Sequence, residues 1–254
     1  MTDLHCHILP SIDDGAKDES VSLEMLRKEY EDGVRRIAFT SHFKCERTEF
    51  DEFLSERDLA FERLKKAMKN APAKLGEIQF KLGAEVLFSP RLIEMDLFEL
   101  CIGDTDFMLM ELPFTHKPFG LDEALYHIQS MGVIPLIAHV ERYPYVMEDP
   151  TMLYNWVAAG FLCQVNAGSL VRGDKESKFL LKLIDWGLVH VISSDAHSMG
   201  RRRPDVKSGI RYIEKKMGAD YADMLRYNAE DIFNGVMPDT MDIHCPKKRF
   251  GRWV

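Results

Sequence analysis

Short apolar runs of strand character alternate with amphipathic helical stretches along almost the whole chain. No other feature constrains the fold as tightly. The strand-like runs are "TDLHCHIL", "VRRIAFTSHF", "IQFKLGAEVLF", "DFMLMELP", "VIPLIAHV", "FLCQVNA" and "VHVISSDAH". Between them, apolar residues recur at helical spacing in "KDESVSLEMLRKEYEDG", closed by Gly33, in a long charged segment from about Glu46 to Asn70, and in "LDEALYHIQSMG", "PTMLYNWVAAG" and "KESKFLLKLIDWG". Helices are expected again from about Pro204 to Gly235. Alternation without a Gly/Ser/Pro-rich linker implies an α/β fold with a mostly parallel sheet. About seven repeats suit a closed seven-stranded (β/α)7 barrel better than an open sheet. One domain over residues 1–254 is expected, with an irregular basic tail from about residue 237, "MPDTMDIHCPKKRFGRWV". The tail reads as a solvated terminus; as an alternative, Lys247, Lys248, Arg249 and Trp253 could meet an acidic partner.

Composition narrows the function by exclusion. With 46% hydrophobic residues the chain can bury a sizeable core, and a formal charge of -8 offers no global attraction to nucleic acid or anionic lipid. No run approaches the roughly 18 apolar residues of a membrane span, and the N-terminus lacks the pattern of a signal peptide. Five scattered cysteines without a CxxC pair read as reduced thiols, so a cytoplasmic location is expected. One class of thiol-dependent hydrolase places its nucleophilic cysteine six residues before an arginine. Here Cys6, Cys45, Cys101, Cys163 and Cys245 are followed at that distance by Ile12, Asp51, Phe107, Ser169 and Gly251.

Metal-ligating residue types collect at the C-terminal ends of the strands. The first strand supplies His5 and His7, with Asp14 in its loop. Later strands supply His42, Glu85, Glu111 and His139, and the seventh Asp195 and His197. In parallel α/β barrels these ends share one mouth, where active sites form. Strand alternation puts His5 with His7, and Asp195 with His197, on common faces, with Cys6 and Ala196 turned away. Each residue has a plainer reading. A lone strand-end histidine is often a hydrogen-bonded surface group, Glu85 and Glu111 could be rim carboxylates bound to lysine, and Asp13–Asp14–Gly15 is a turn signal. Nine such residues at one end point jointly to a site for two or three ions, and mixed imidazole and carboxylate donors suit Zn, Mn or Fe. Structural roles are expected for His127, His190 and His244; His116 could edge the site.

The motifs "DLHCHILPSIDDG", "TSHF", "GAEV", "ELPF", "AHVERY" and "SSDAHSMGRRRP" resemble, in order, those of the PHP (polymerase and histidinol phosphatase) metallo-phosphoesterases. The resemblance is to the bacterial tyrosine-phosphatase branch, encoded with capsular or exopolysaccharide genes. It implies a distorted seven-stranded β/α barrel and three metals, commonly manganese. By that analogy His5, His7 and Asp195 hold one ion and share Glu85 with a second, which Glu111 and His139 complete. Asp14, His42 and His197 hold the third; Asp13 is not expected to be a ligand. Two arginines are expected at the phosphate. Arg142 matches one; the other is Arg202 by spacing from His197, with Arg201 as the alternative in a run that continues to Arg203. A solvated basic turn is the plainer reading of that run.

These residues point to phosphomonoester hydrolysis, in which metal-activated hydroxide attacks phosphorus in line and metals and arginines neutralise the oxygens. The resemblance implies a partner, the phosphotyrosine tail of a membrane-associated tyrosine autokinase, with no nucleic acid and no direct membrane insertion. Three rivals stand: a small-molecule phosphatase of the same superfamily acting on histidinol phosphate; an amidohydrolase, for which the bridging lysine is missing; and a non-catalytic binding domain.

Overall fold

The computed structural model describes residues 1–71, 74–239 and 241–253. The first repeat runs from β1 (Thr2–Cys6) through α1 (Glu19–Asp32) to β2 (Arg36–Phe39) and its continuation β3 (His42–Phe43). α1 starts where the Asp18 carboxylate accepts from the Val21 amide and stops at Gly33, whose φ of 87° is left-handed. Then follow α2 (Phe50–Lys69), β4 (Gln79–Leu82), β5 (Glu85–Leu87), β6 (Phe107–Glu111), α3 (Leu121–Ser130) and β7 (Ile134–Ile137). The chain goes on through α4 (Pro144–Glu148), α5 (Thr151–Ala158), β8 (Leu162–Asn166), α6 (Ala167–Val171), α7 (Lys175–Asp185), β9 (Val191–Ser193), α8 (Val206–Met217) and α9 (Ala219–Phe233).

β1 to β9 form two parallel sheets, β1-β2-β4 and β3-β5-β6-β7-β8-β9. β3 prolongs β2 and β5 prolongs β4, so the nine strands make seven staves. The expected strands over Val34–Phe43 and Ile78–Phe88 are each broken in the middle. At the breaks pairing shifts: the Glu85 amide donates to the carbonyls of Thr40 and Ser41, and the Gly83 amide to Phe39. The ring closes between the first and last staves through a Cys6–Ala196 bridge, with Asp195 N donating to His5 O and His7 N to Ala196 O, both at 2.8 Å. The barrel is therefore seven-staved and distorted, as expected.

Strand alternation sorts side chains into an inner and an outer layer. Leu4, Ala38, Phe107, Leu109, Leu136, Leu162 and Val191 fill the interior, and Ala229, Ile232 and Phe233 of α9 pack against them. Outward residues such as Met108, Met110, Ile137, Cys163 and Val165 pack with residues of the surrounding helices. Polar residues at the inward positions of the C-terminal ends are thus left to line the mouth. The tail departs from the solvated reading. Ile243 packs on the core, the His244 amide donates to Trp186 O at 2.9 Å, and Trp253 Nε1 donates to Glu148 O at 3.2 Å. A two-residue hairpin of β10 (Lys248–Arg249) and β11 (Arg252–Trp253) ends it, while Lys247, Lys248 and Arg249 stay exposed. The tail's Thr240 and Val254 lie outside the described residues.

Candidate metal centre

All nine expected donors meet at the mouth. Their ligand atoms fall into four overlapping groups, each within 4.8 Å: His7, Asp14, His42 and His197; His5, His139 and Asp195; His5, His7 and Glu85; His42, Glu85 and Glu111. Most arrive by simple alternation. Glu111 continues the inward series of Phe107 and Leu109, and Glu85 and His42 face inward while Val86 and Phe43 face out. His139 and Asp195 do not. Leu136 and Ala138 point inward, so an extended His139 would point into the outer layer. Its φ of 29° breaks the strand and swings the imidazole into the mouth. Asp195 also has a positive φ, 53°, beyond the end of β9. Left-handed backbone at residues other than glycine is strained and concentrates at functional sites.

The hydrogen bonds around the donors set their orientation. His5 Nδ1 lies 3.2 Å from Gln164 Oε1, His7 Nδ1 lies 2.7 Å from Asp13 Oδ2, and His197 Nδ1 lies 2.9 Å from the Asp195 carbonyl. With each Nδ1 donating to an oxygen, Nε2 is the free lone-pair end, the arrangement usual for metal-bound histidine. His5 Nε2 and His7 Nε2 face each other at 3.2 Å. The loop that carries Asp13 and Asp14 can approach only because residue 15 is glycine: a Cβ there would sit 2.2 Å from His7 O. Asp13 is the buried partner of His7, whereas Asp14 is exposed, with its Oδ1 at 3.2 Å from His42 Nε2 and 3.4 Å from His197 Nε2.

Does the donor set fit a group of cations? His42 Nδ1 and Glu85 Oε2 lie 2.8 Å apart, yet neither has a hydrogen-bond partner, nor does His197 Nε2. Buried polar atoms left without partners call for an ion or water. Charge says the same. Burial disfavours a charged His7, yet Asp13 and Glu85 outweigh it and raise the imidazolium to about 10. His5 is raised against its own burial by Glu85 and Asp195. Burial, then repulsion from Glu85, pushes Glu111 up to about 7. So many carboxylates in one buried site demand positive charge, and the residues present fit divalent ions.

Two arginines flank the cluster. Arg202 Nη2 contacts Asp195 Oδ1 at 2.6 Å, and Arg142 Nη1 approaches Asp195 Oδ2 at 3.6 Å while its guanidinium lies 4.5 Å over the Phe114 ring. Arg201 and Arg203 do not reach Asp195; they line a cleft of about 870 Å³ beside it, together with Phe114, Arg142, Arg172 and Arg202. His116 and His127 are exposed, His190 is buried, and none joins the donor groups.

The sixth stave contributes what the strand-end pattern could not reveal. The one ligand-type residue of β8, Cys163, faces outward, yet the inward Gln164 and Asn166 organise the donors. Gln164 Oε1 accepts from the left-handed His139 amide at 2.7 Å and meets His5 Nδ1, while its Nε2 donates to Asn166 Oδ1 at 2.8 Å. Asn166 Nδ2 then donates to Asp195 Oδ2 at 2.8 Å, and the Asn166 amide donates to Glu141 Oε1 at 3.0 Å. The available sequence signal was two polar residues at inward positions of an otherwise apolar strand.

Fold and mouth together define a distorted parallel α/β barrel with a donor set for more than one metal ion at its mouth. Residues 1–234 match the family described as capsular polysaccharide synthesis, CpsB/CapC. The chain belongs to that family. It is 34% identical over 237 residues to the tyrosine-protein phosphatase YwqE of Bacillus subtilis, covering 91% of this chain and 90% of the relative. It is 26% identical over 234 residues to the tyrosine-protein phosphatase CpsB of Streptococcus agalactiae, covering 89% and 94%. Among solved structures, a chain from work on YwqE of Bacillus subtilis and CpsB of Streptococcus pneumoniae, described as unique metal-dependent tyrosine phosphatases, superposes with a TM-score of 0.85 at 31% identity. That match covers 98% of this chain and all of the other.

Proposed function

We propose that the chain is a metal-dependent protein-tyrosine phosphatase of the cytoplasm. Its substrate in this reading is the phosphotyrosine tail of a membrane-associated tyrosine autokinase that regulates capsular or exopolysaccharide synthesis. The observation that carries the chemistry is the pair Arg142 and Arg202, held by one carboxylate, Asp195, at the edge of the donor cluster. The activities of the relatives support the same reading. Among the described residues no helix is long and apolar enough to cross a membrane, so contact with the membrane would come through the partner.

By the family resemblance the donors would serve three ions: His5, His7 and Asp195 with Glu85 shared; Glu85, Glu111 and His139; Asp14, His42 and His197. Divalent ions there, manganese first and iron or zinc as alternatives, would bring the pKa of water toward neutrality and offset phosphoryl charge. Arg142 and Arg202 take nonbridging phosphate oxygens, each through its planar fork. Asp195 keeps both forks in place, and Asn166 keeps Asp195 in place. Phe114 backs Arg142 and offers an apolar wall to the phenyl ring. Phenolate, with a pKa of about 10, leaves without a strong general acid. A thiol nucleophile is disfavoured within this chain. Cys6, Cys45, Cys101 and Cys163 are buried, burial pushes Cys6 well up and Cys101 to about 12, and Cys245 lies on the tail.

The test is phosphate release from a phosphotyrosine peptide and from histidinol phosphate, by manganese-loaded and EDTA-stripped protein. Peptide turnover that vanishes with EDTA and returns with manganese is the expected result. Turnover of histidinol phosphate alone would overturn the substrate and keep the site.

A further inference from the structure

The cleft beside the donor cluster has room for more than one phosphorylated side chain. Its volume, about 870 Å³, lies in the range that encloses a whole drug-sized ligand. The turn after His197 decides which arginines face it. His197 N and Ser198 N both donate to the Arg202 carbonyl, at 2.8 and 3.1 Å. That closure sends the Arg202 side chain toward Asp195 and Asp14 and leaves its neighbours, Arg201 and Arg203, exposed on the cleft wall.

The carboxylates of the same cleft are already engaged. Asp195 holds Arg142 and Arg202, Glu176 holds Arg172, and Glu141 accepts from the Asn166 amide. Asp205, the remaining acid, is largely buried; burial and then the Asp3 charge hold it up to about 7, against the pull of the nearby Arg203 charge. Arg201 and Arg203 make no ion pair among the described residues. In a chain of formal charge -8, two exposed guanidiniums outside any ion pair among the described residues, on the wall of a cleft that opens beside Arg142 and Arg202, form a local anion-attracting field.

We propose that Arg201 and Arg203 form a second anionic subsite, which binds a carboxylate or a second phosphoryl group on the polypeptide flanking the phosphotyrosine. This rests on the phosphatase reading and adds a specificity to it: the preferred substrate segment is acidic or multiply phosphorylated. Arginine reads both groups through paired N–H donors, and phosphate, with more charge, gains more.

The experiment compares three fluorescein-labelled phosphotyrosine peptides whose flanking residue is alanine, glutamate or phosphoserine. Binding is read by fluorescence anisotropy on chelator-treated protein, and kcat/KM on manganese-loaded protein. The wild-type chain is expected to prefer glutamate over alanine, and phosphoserine over glutamate, with the preference carried by KM and shrinking at high salt. The double substitution Arg201→Gln with Arg203→Gln should reduce the preference by about three- to tenfold, the size expected of exposed ion pairs. Arg201→Lys with Arg203→Lys should retain the glutamate preference and lose the extra gain on phosphoserine. Equal affinities for all three peptides, or a double glutamine variant that weakens the alanine peptide as much as the others, would overturn the subsite and leave the phosphatase reading standing. A binding preference without turnover of any peptide would do the reverse.

Discussion

Replacing Gln164 with leucine isolates the contribution of the ligand-free stave. Gln164 is fully buried, and its Oε1 serves two donors, His139 N at 2.7 Å and His5 Nδ1 at 3.2 Å. Leucine keeps similar volume and removes the acceptor. Each stranded buried donor costs about 1–3 kcal/mol, so the metal-free fold should lose about 2–6 kcal/mol. The strained His139 backbone also loses the bond that holds it left-handed. Metal affinity should drop about 10- to 100-fold, as for other partners of metal ligands, equivalent to about 1.4–2.8 kcal/mol. The assay is manganese content after dialysis against metal buffers, paired with thermal melts in EDTA. Gln164→Glu retains both acceptor positions and should hold manganese. A leucine variant that binds manganese as tightly as the parent would show that the ligands orient themselves, and the reasoning would fail.

Two further outcomes test the packing. His190 is buried, its Nδ1 accepts from Cys163 N at 3.0 Å, and burial lowers its pKa to about 4 from the ordinary imidazole value of about 6.5. The unfolded chain binds that proton more readily, so this contribution is complete above about pH 6.5 and is lost as pH falls toward 4, about 3 kcal/mol in all. Urea unfolding in EDTA should therefore show a shallower acid loss for His190→Asn than for the parent; parallel curves would refute the assignment. Gly209, in α8, packs where an added Cβ would lie 2.8 Å from Ala167 Cβ and 3.1 Å from Ile192 Cγ2. Gly209→Ala should lower the melting temperature, because overpacking of about 1–3 kcal/mol exceeds the roughly 1 kcal/mol gained in helix propensity; a higher melting temperature would show that α8 can move away.

Arg142 was expected only through the family resemblance, whereas the barrel, its seven staves and the nine residues that meet at its mouth were legible from the residues alone. All of them follow from local periodicity: strands alternate with helices, and strand ends in such a fold share a mouth. Tertiary structure decided the rest, because it depends on contacts between residues far apart in the chain. Asp195 receives Asn166 and Arg202, and His139 and His5 share Gln164, across separations from 7 to 159 residues. Amide side chains carry no sequence signature that separates such a partner from any other polar residue in a strand. The inward turn of His139 and the register shift that brings His5 inward beside Leu4 run against the alternation that placed most of the other donors. Arg202 differs from Arg201 and Arg203 only through the turn that closes on its carbonyl, and the tail docks through Ile243 and Trp253 on surfaces that exist only once the helices are packed.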